Sequence, residues 1–382
     1  MIELQYISLH LIVVVLTFVY CRKISRSPFS EYWKLAAIPI LCFSLEEGLR
    51  WGRLIDWCFY YNAYSEILDR KFGTIEPLFW LIWGAFAKLG LPYYAVITFC
   101  SFLLCFSLFF FCKPYKKGIF IAIPLAIVTA GTFASNLIRW YMAVSFMLLG
   151  CRLYLDGKQK KAYLLFFCSF CCHYAIIIGL LLLFFVNKIW KKCICSAKVA
   201  IVVSATLIFT LNQFPQLITY LATLSALLSG VERFEHYIND SQQWFTISDN
   251  LNFIYLFFSM IPLYIMLYGV YLYRKENNQY YFLYNSFVLL LWIKSAGQGL
   301  ELGLRYKAIF DLFMCAAVGI LFINANKKNL QNIIIKSAIV IWLILQTIIF
   351  CRPLPDNAYN LYVWNEHKQD PYILLGKYKS WW

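Results

Sequence analysis

Apolar runs of bilayer-crossing length follow one another along almost the whole chain, and most of them end at lysine or arginine. This alternation constrains the fold more than any motif does. In hydrocarbon a backbone has no water to bond to, so each run must satisfy its own hydrogen bonds as a helix. The 382 residues are 62% hydrophobic and only 14% charged. Soluble domains carry roughly a quarter charged residues. The expected fold is an all-α polytopic integral membrane protein.

Net charge is +15, from 34 Lys and Arg against 19 Asp and Glu. Two causes compete: the bias of Lys and Arg toward cytoplasmic loops, and an anionic ligand such as phosphate. Position separates them, so topology comes first. There is no basic soluble domain, which argues against a nucleic-acid partner. Most of the 14 Cys, such as Cys100, Cys105, Cys168, Cys171, Cys172 and Cys315, sit inside apolar runs and read as packing residues. The four His are few and scattered, so neither a metal nor a cofactor is expected.

The first apolar run, 4–20, has Glu3 in front and Arg22, Lys23 and Arg26 behind. A secretory signal carries its basic residues in front, so this run should stay as a span with its N-terminus outside. Residues 33–49 then cross outward, which leaves 50–75 outside. Residues 77–112 are long enough for two spans, but Lys113, Lys116 and Lys117 follow. Only one crossing puts those lysines in the cytoplasm. Residues 77–91 are therefore expected as an outer juxtamembrane helix, broken at Pro92, with 93–112 crossing.

Residues 119–135 and 137–155 form the next pair. The run 162–187 is apolar, yet Lys160 and Lys161 precede it and Lys188, Lys191 and Lys192 follow. A single span breaks the orientation rule. A re-entrant hairpin of two half-helices, broken near Cys172 and His173, obeys it. Continuing with 197–211, 251–273, 280–296, 302–323 and 333–350 gives about ten full spans. The expected organisation is one membrane domain, 1–351, with outer loops at 50–92 and 212–250. An extracytoplasmic aromatic tail, 352–382, follows.

Within this frame the run from Glu46 to Phe79 stands out. It packs Glu46, Glu47, Arg50, Arg53, Asp56, Glu66, Asp69, Arg70, Lys71 and Glu76 between apolar regions. Ionisable groups beside hydrocarbon are costly and usually functional. Cytoplasmic lysines need no further explanation. Arg50, Arg53, Arg139, Lys294, Arg305 and Lys307 do, because all fall at or near the outer face. Each alone reads as a side chain reaching for the interface; together they fit an anion, since arginine binds phosphate oxygens through two donors at once. The acids Glu46, Glu47, Asp56, Glu76 and Asp311 are either partners of these cations or catalysts. His173 is either a satisfied core histidine or a functional one. No P-loop, nucleophile elbow, zincin or Rossmann fingerprint is present, and no D-x-D segment points to a nucleotide sugar.

Five short patterns occur in order: R-x-x-R-x-x-D-x-x-x-Y from Arg50 to Tyr60, Glu76-Pro77-Leu78-Phe79, Asn136-Leu137-Ile138-Arg139 with Ala143, Phe170-Cys171-Cys172-His173, and Arg305-Tyr306. The set resembles the EpsG family of polysaccharide polymerases, which is similar in role to Wzy-type O-antigen polymerases. Two positions depart from the family's pattern: Asp56 stands four residues after Gly52 instead of two, and Leu78 replaces a glycine. The resemblance implies a GT-C-like helical fold and a glycosyltransferase at the outer face of the bacterial plasma membrane. It would join polyprenyl-pyrophosphate-linked repeat units into O-antigen, capsular or exopolysaccharide, with membrane lipid and a chain-length regulator as further partners. In that scheme Asp56, Glu76 or His173 activates the acceptor, the two acids before the histidine. Arg50, Arg53, Arg139, Arg305 and Lys307 meet the pyrophosphate in place of a metal. A flippase of lipid-linked oligosaccharide and an O-antigen ligase are the alternatives.

Overall fold

The structure, a computed structural model, describes residues 2–50, 55–68, 76–134, 137–189, 192–213, 253–275, 277–297, 301–326 and 329–352. Arg53 and nearly all of the expected outer loop 212–250 and tail 352–382 lie outside the described residues. Every described element is helical. In chain order they are α1 (Ile2–Arg26), α2 (Tyr32–Gly48), α3 (Ile55–Ser65), α4 (Pro77–Lys88), α5 (Tyr93–Cys112), α6 (Ile119–Ala134) and α7 (Ile138–Leu155). Then come α8 (Gln159–Cys172), α9 (Ile176–Ile189), α10 (Ala197–Gln213), α11 (Phe253–Leu272), α12 (Asn278–Ala296), α13 (Glu301–Asn324) and α14 (Leu330–Cys351).

Among the described residues four stretches are long and apolar enough to cross a bilayer: Ile7–Arg26, Tyr93–Gly131, Arg305–Asn324 and Leu330–Cys351. Several shorter helices are equally apolar. The second stretch is two helices, α5 and α6, parted by a 3-10 turn at Lys113–Gly118 where Tyr115 leaves helical geometry. The chain is a multi-pass membrane protein. It divides into two compact units, Met1–Phe184 with Trp342–Trp382, and Phe185–Ile341.

In the first unit α2 runs antiparallel to α5. At one end Tyr32 donates to the Phe109 carbonyl at 2.6 Å and Trp33 stacks on Phe106. At the other end Gly48 lies directly against Thr98. α7 and α8 are also antiparallel: Ser169 donates to the Ala143 carbonyl at 2.7 Å, and Gly150 makes room for Phe166. α8 then folds back on α9, with Tyr163 and Phe166 both packed on Phe184. The helix break falls between Cys172 and Ile176, where the basic flanks placed it. Each arm has 14 residues. At 1.5 Å per residue that is about 21 Å, short of the roughly 30 Å of hydrocarbon a full span needs.

This unit is polarised. One end gathers Lys23 and Arg26 at the close of α1, Lys113 over Tyr32 and Trp33, Lys116 over Phe29, and Arg152 paired with Asp156. The opposite end gathers the C-terminus of α2, the short helices α3 and α4, the first turns of α5 and α7, and the tip of the α8–α9 hairpin.

In the second unit α10 runs parallel to α12. The Ile194 amide donates to Asn285 at 3.0 Å, and Ser204 meets Ser295 at 2.6 Å further along. Tyr264 of α11 closes on the same Ser204 at 3.0 Å. α12 and α13 form an antiparallel pair whose ends touch through Gly297 and Gly303, with Phe282 against Phe313 near the far end.

The α2–α5 contact yields a direct test. A Cβ on Gly48 would stand 2.6 Å from the Thr98 Cα, which is backbone and cannot swing away. Gly48→Ala should destabilise the protein by about 1–3 kcal/mol, read as a lower thermal midpoint in detergent. An unchanged midpoint would mean that the two helices do not approach at this point.

Candidate active site

The site begins with one backbone irregularity. Glu76 caps α4 with φ 60° and ψ 56°, and is the one non-glycine residue with positive φ among those described. A side chain in the left-handed region is strained, and such strain persists where surrounding contacts over-determine it. Pro77 follows at the first helical position, where its fixed φ suits the start of a helix. The Glu76 side chain does not cap α4. It turns inward, buried at 4% exposure.

Two groups hold it there. Arg139, in the first turn of α7, donates from Nη1 to Glu76 Oε2 at 2.6 Å. His173, at the tip of the α8–α9 hairpin, places Nδ1 2.9 Å from Glu76 Oε1. Both carboxylate oxygens are therefore engaged by different helices. Arg139 also donates from Nε to the Tyr60 hydroxyl at 2.8 Å, and its guanidinium lies over the rings of Tyr60 and Phe79. Tyr60, Phe79 and Trp83 form an aromatic wall behind it. Trp140 meets the His173 ring edge-on at 5.3 Å. Exposure rises outward from the acid: 5% for the Glu76 side chain, 14% for His173 and 24% for Arg139. The cluster opens on its arginine and histidine side.

Burial alone would raise the Glu76 carboxyl. The His173 hydrogen bond and the Arg139 charge outweigh that, and hold it below its ordinary value. At neutral pH Glu76 is a carboxylate and can only accept, so the His173 Nδ1 facing it carries a proton. The other ring nitrogen, Nε2, is then the basic one when the imidazole is neutral.

Three of the residues singled out in the sequence, Glu76, Arg139 and His173, thus meet. Asp56 lies on α3, with its side chain outside the described residues. Arg50 is buried and donates from Nη1 to Glu47 Oε2 at 2.9 Å and to the Glu47 carbonyl. Arg305 and Lys307 lie on α13 in the second unit, where Lys307 pairs with Asp311 at 2.9 Å. Sequence reasoning gave Tyr60 no role of its own. Its only signal was its place at the end of the spaced pattern that starts at Arg50. It also counted the histidines as scattered, whereas the fold carries His10 onto Glu46 at 3.1 Å.

A helical multi-pass membrane protein with a carboxylate, arginine and histidine drawn from three separate segments has the parts for metal-free group transfer on an anionic substrate. The chain matches the EpsG family over residues 32–362, most of its length, and belongs to that family. Membership makes it a polysaccharide polymerase-type protein acting on a lipid-linked sugar in a membrane. No curated protein and no solved structure matches it.

Glu76→Gln removes the charge that Arg139 and His173 share. It should cost about 2–4 kcal/mol, toward the lower part of the range for breaking a buried pair because Arg139 is partly exposed. The pH dependence has a definite sign. Because the folded carboxyl is held low, its stabilisation is present above the ordinary carboxylate range and is lost as pH falls through the folded value. The acid-side fall in thermal midpoint should therefore be shallower in Glu76→Gln than in the parent. Parallel curves would show that Glu76 does not carry this linkage.

Proposed function

We propose that this protein joins oligosaccharide repeat units carried on polyprenyl pyrophosphate at the outer face of the bacterial plasma membrane, extending an O-antigen, capsular or exopolysaccharide chain. The observation that carries this reading is the Glu76 carboxylate held between Arg139 and His173. An acceptor hydroxyl attacks the anomeric carbon of the donor unit. The bond from that carbon to the pyrophosphate oxygen breaks, and polyprenyl pyrophosphate leaves with the electron pair. The hydroxyl proton passes to His173 Nε2, while Glu76 holds Nδ1–H and stabilises the imidazolium that forms. Arg139 faces the developing charge with its exposed edge, held in plane by Tyr60 and Glu76.

In this scheme Glu76 orients the base and is not itself the base, since both of its oxygens are engaged. Asp56 is the second candidate for contact with the acceptor. Arg53, Arg305 and Lys307 are further candidates for the pyrophosphate, and Arg50, tied to Glu47, supports the end of α2. The membrane arrangement that goes with it is a GT-C-like one of about ten spans, with α4 in the outer interface and α8–α9 as a re-entrant hairpin. The short arms of that hairpin and the polarity of the first unit support this. The lysine-rich end would face the cytoplasm and the Glu76 end the outside. A chain-length regulator would act on the product.

The test is polymer formation from purified protein and lipid-linked repeat units in detergent. A ladder is expected; transfer to lipid A would mean a ligase, and flipping in vesicles without extension would mean a transporter. His173→Ala should lower turnover by about 100-fold or more, the usual worth of a general base. Arg139→Lys should also lose most activity, because a point charge cannot replace the planar fork. Full activity in either variant, per folded molecule, would remove that residue from the site.

A further inference from the structure

In the second unit α10, α11 and α14 leave a groove of about 550 Å³ between them. Ile201 of α10, Tyr264, Ile265 and Tyr268 of α11, and Gln331 and Ile335 of α14 line it. The volume lies inside the range of about 300–1,000 Å³ usual for small-ligand sites. The walls are apolar, with two tyrosines and a glutamine as the polar groups among these residues. The Tyr264 hydroxyl is tied to Ser204 at 3.0 Å and belongs to the wall. The Tyr268 hydroxyl, one turn further along α11, makes no hydrogen bond among the described residues. Ile201 is in the second turn of α10, Gln331 in the first turn of α14, and Tyr268 in the last two turns of α11. The groove therefore lies at the end of the unit where α10 and α14 begin and α11 finishes.

That same end is basic. Lys192 precedes α10, Lys198 lies in its first turn, and Arg274 and Lys275 follow α11; all four are exposed. In the sequence Lys327 and Lys328 come directly before α14, and Glu276 follows Lys275. Two of the cations sit on fixed backbone. Asn285 of α12 accepts from the Ile194 amide at 3.0 Å and donates to the Lys192 carbonyl at 3.2 Å, and Tyr284 donates to the Cys195 carbonyl at 2.9 Å. Arg274 lies over the Tyr271 ring at 4.2 Å, and its charge acts on Cys193, the neighbour of Lys192. We propose that this groove binds one anionic phospholipid of the phosphatidylglycerol type. An acyl chain fills the groove, Tyr268 and Gln331 meet the ester and glycerol oxygens, and the cationic end meets the headgroup phosphate. The charge bias of membrane loops accounts for the side on which these cations lie. It does not account for an apolar groove among them, and the two together match a lipid with an anionic head. The competing occupant is the polyprenyl tail of the substrate. The same bias would put this end at the cytoplasmic side, whereas transfer is proposed at the outer face, which favours the bilayer phospholipid.

The full-length protein in detergent, mixed with phosphatidylglycerol that carries a photoreactive group in its acyl chain, tests the assignment. Illumination should label α10, α11 and α14 around Ile201, Tyr268 and Ile335. Unlabelled phosphatidylglycerol should compete about tenfold better than phosphatidylcholine, the preference expected of a few nearby cations. Arg274→Gln combined with Lys198→Gln should bring that preference close to parity, and so should high salt with the parent protein. Ile265→Trp, which fills the groove, should lower labelling there by either lipid. The competition and salt measurements need no variant, so they stand if a substitution prevents folding. Equal competition by phosphatidylcholine would mean ordinary solvation by bilayer lipid and overturns the proposal. Labelling confined to other helices overturns it too. Stronger competition by polyprenyl phosphate than by phosphatidylglycerol would give the groove to the substrate tail instead. None of these readouts uses polymer formation, so failure here is distinct from failure of the proposed activity.

Discussion

One carboxylate, Glu76, ties together segments that are far apart in the chain. It lies at the start of a short helix, reaches the first turn of α7 through Arg139 and the tip of the α8–α9 hairpin through His173, and by way of Arg139 draws in Tyr60 of α3. A lone ionised carboxylate buried in an apolar bundle is costly, and Arg139 and His173 each offset part of that cost. The positive φ falls at this same residue, between the side chain held by Arg139 and His173 and the start of α4 at Pro77. Strain in the backbone is offset by two charge-assisted contacts.

Those contacts also order the chemistry. The acid is the most buried member, and the histidine and arginine are nearer the surface. A substrate approaching the cluster would meet a base and a cation first, with the anion behind them setting the tautomer of one and the plane of the other. The Tyr60 and Phe79 rings lie against the Arg139 guanidinium, and the Tyr60 hydroxyl also takes its Nε donor. The arrangement belongs wholly to the first unit.

Much of this was legible in the sequence. Basic residues at the ends of apolar runs located the short α4, the separate α5, and the break at His173, because two spans over 77–112, or a single one over 162–187, would violate the charge bias. Glu76, Arg139 and His173 were legible individually as ionisable groups in apolar surroundings. Their meeting was not, since 63 residues separate Glu76 from Arg139 and no local period links them. Tyr60 was hidden because a tyrosine among 28 carries no signal until a charged partner is placed beside it. His10 was discounted for the same reason: its partner, Glu46, is on another helix. Arg50 was readable as an unusual outer-face cation, but the acid three residues earlier claims it. Division of the chain into two units depends on packing between distant helices, which apolar patterning does not encode.

The central claim is that the Glu76, Arg139 and His173 cluster receives the lipid-linked donor. The most direct measurement is a cryo-EM structure with a non-transferable analogue of a polyprenyl-pyrophosphate-linked repeat unit bound. The account predicts pyrophosphate oxygens within about 3 Å of the Arg139 guanidinium, with the sugar on the His173 side. Density for the pyrophosphate elsewhere, with Arg139 and His173 out of reach of the ligand, would contradict it.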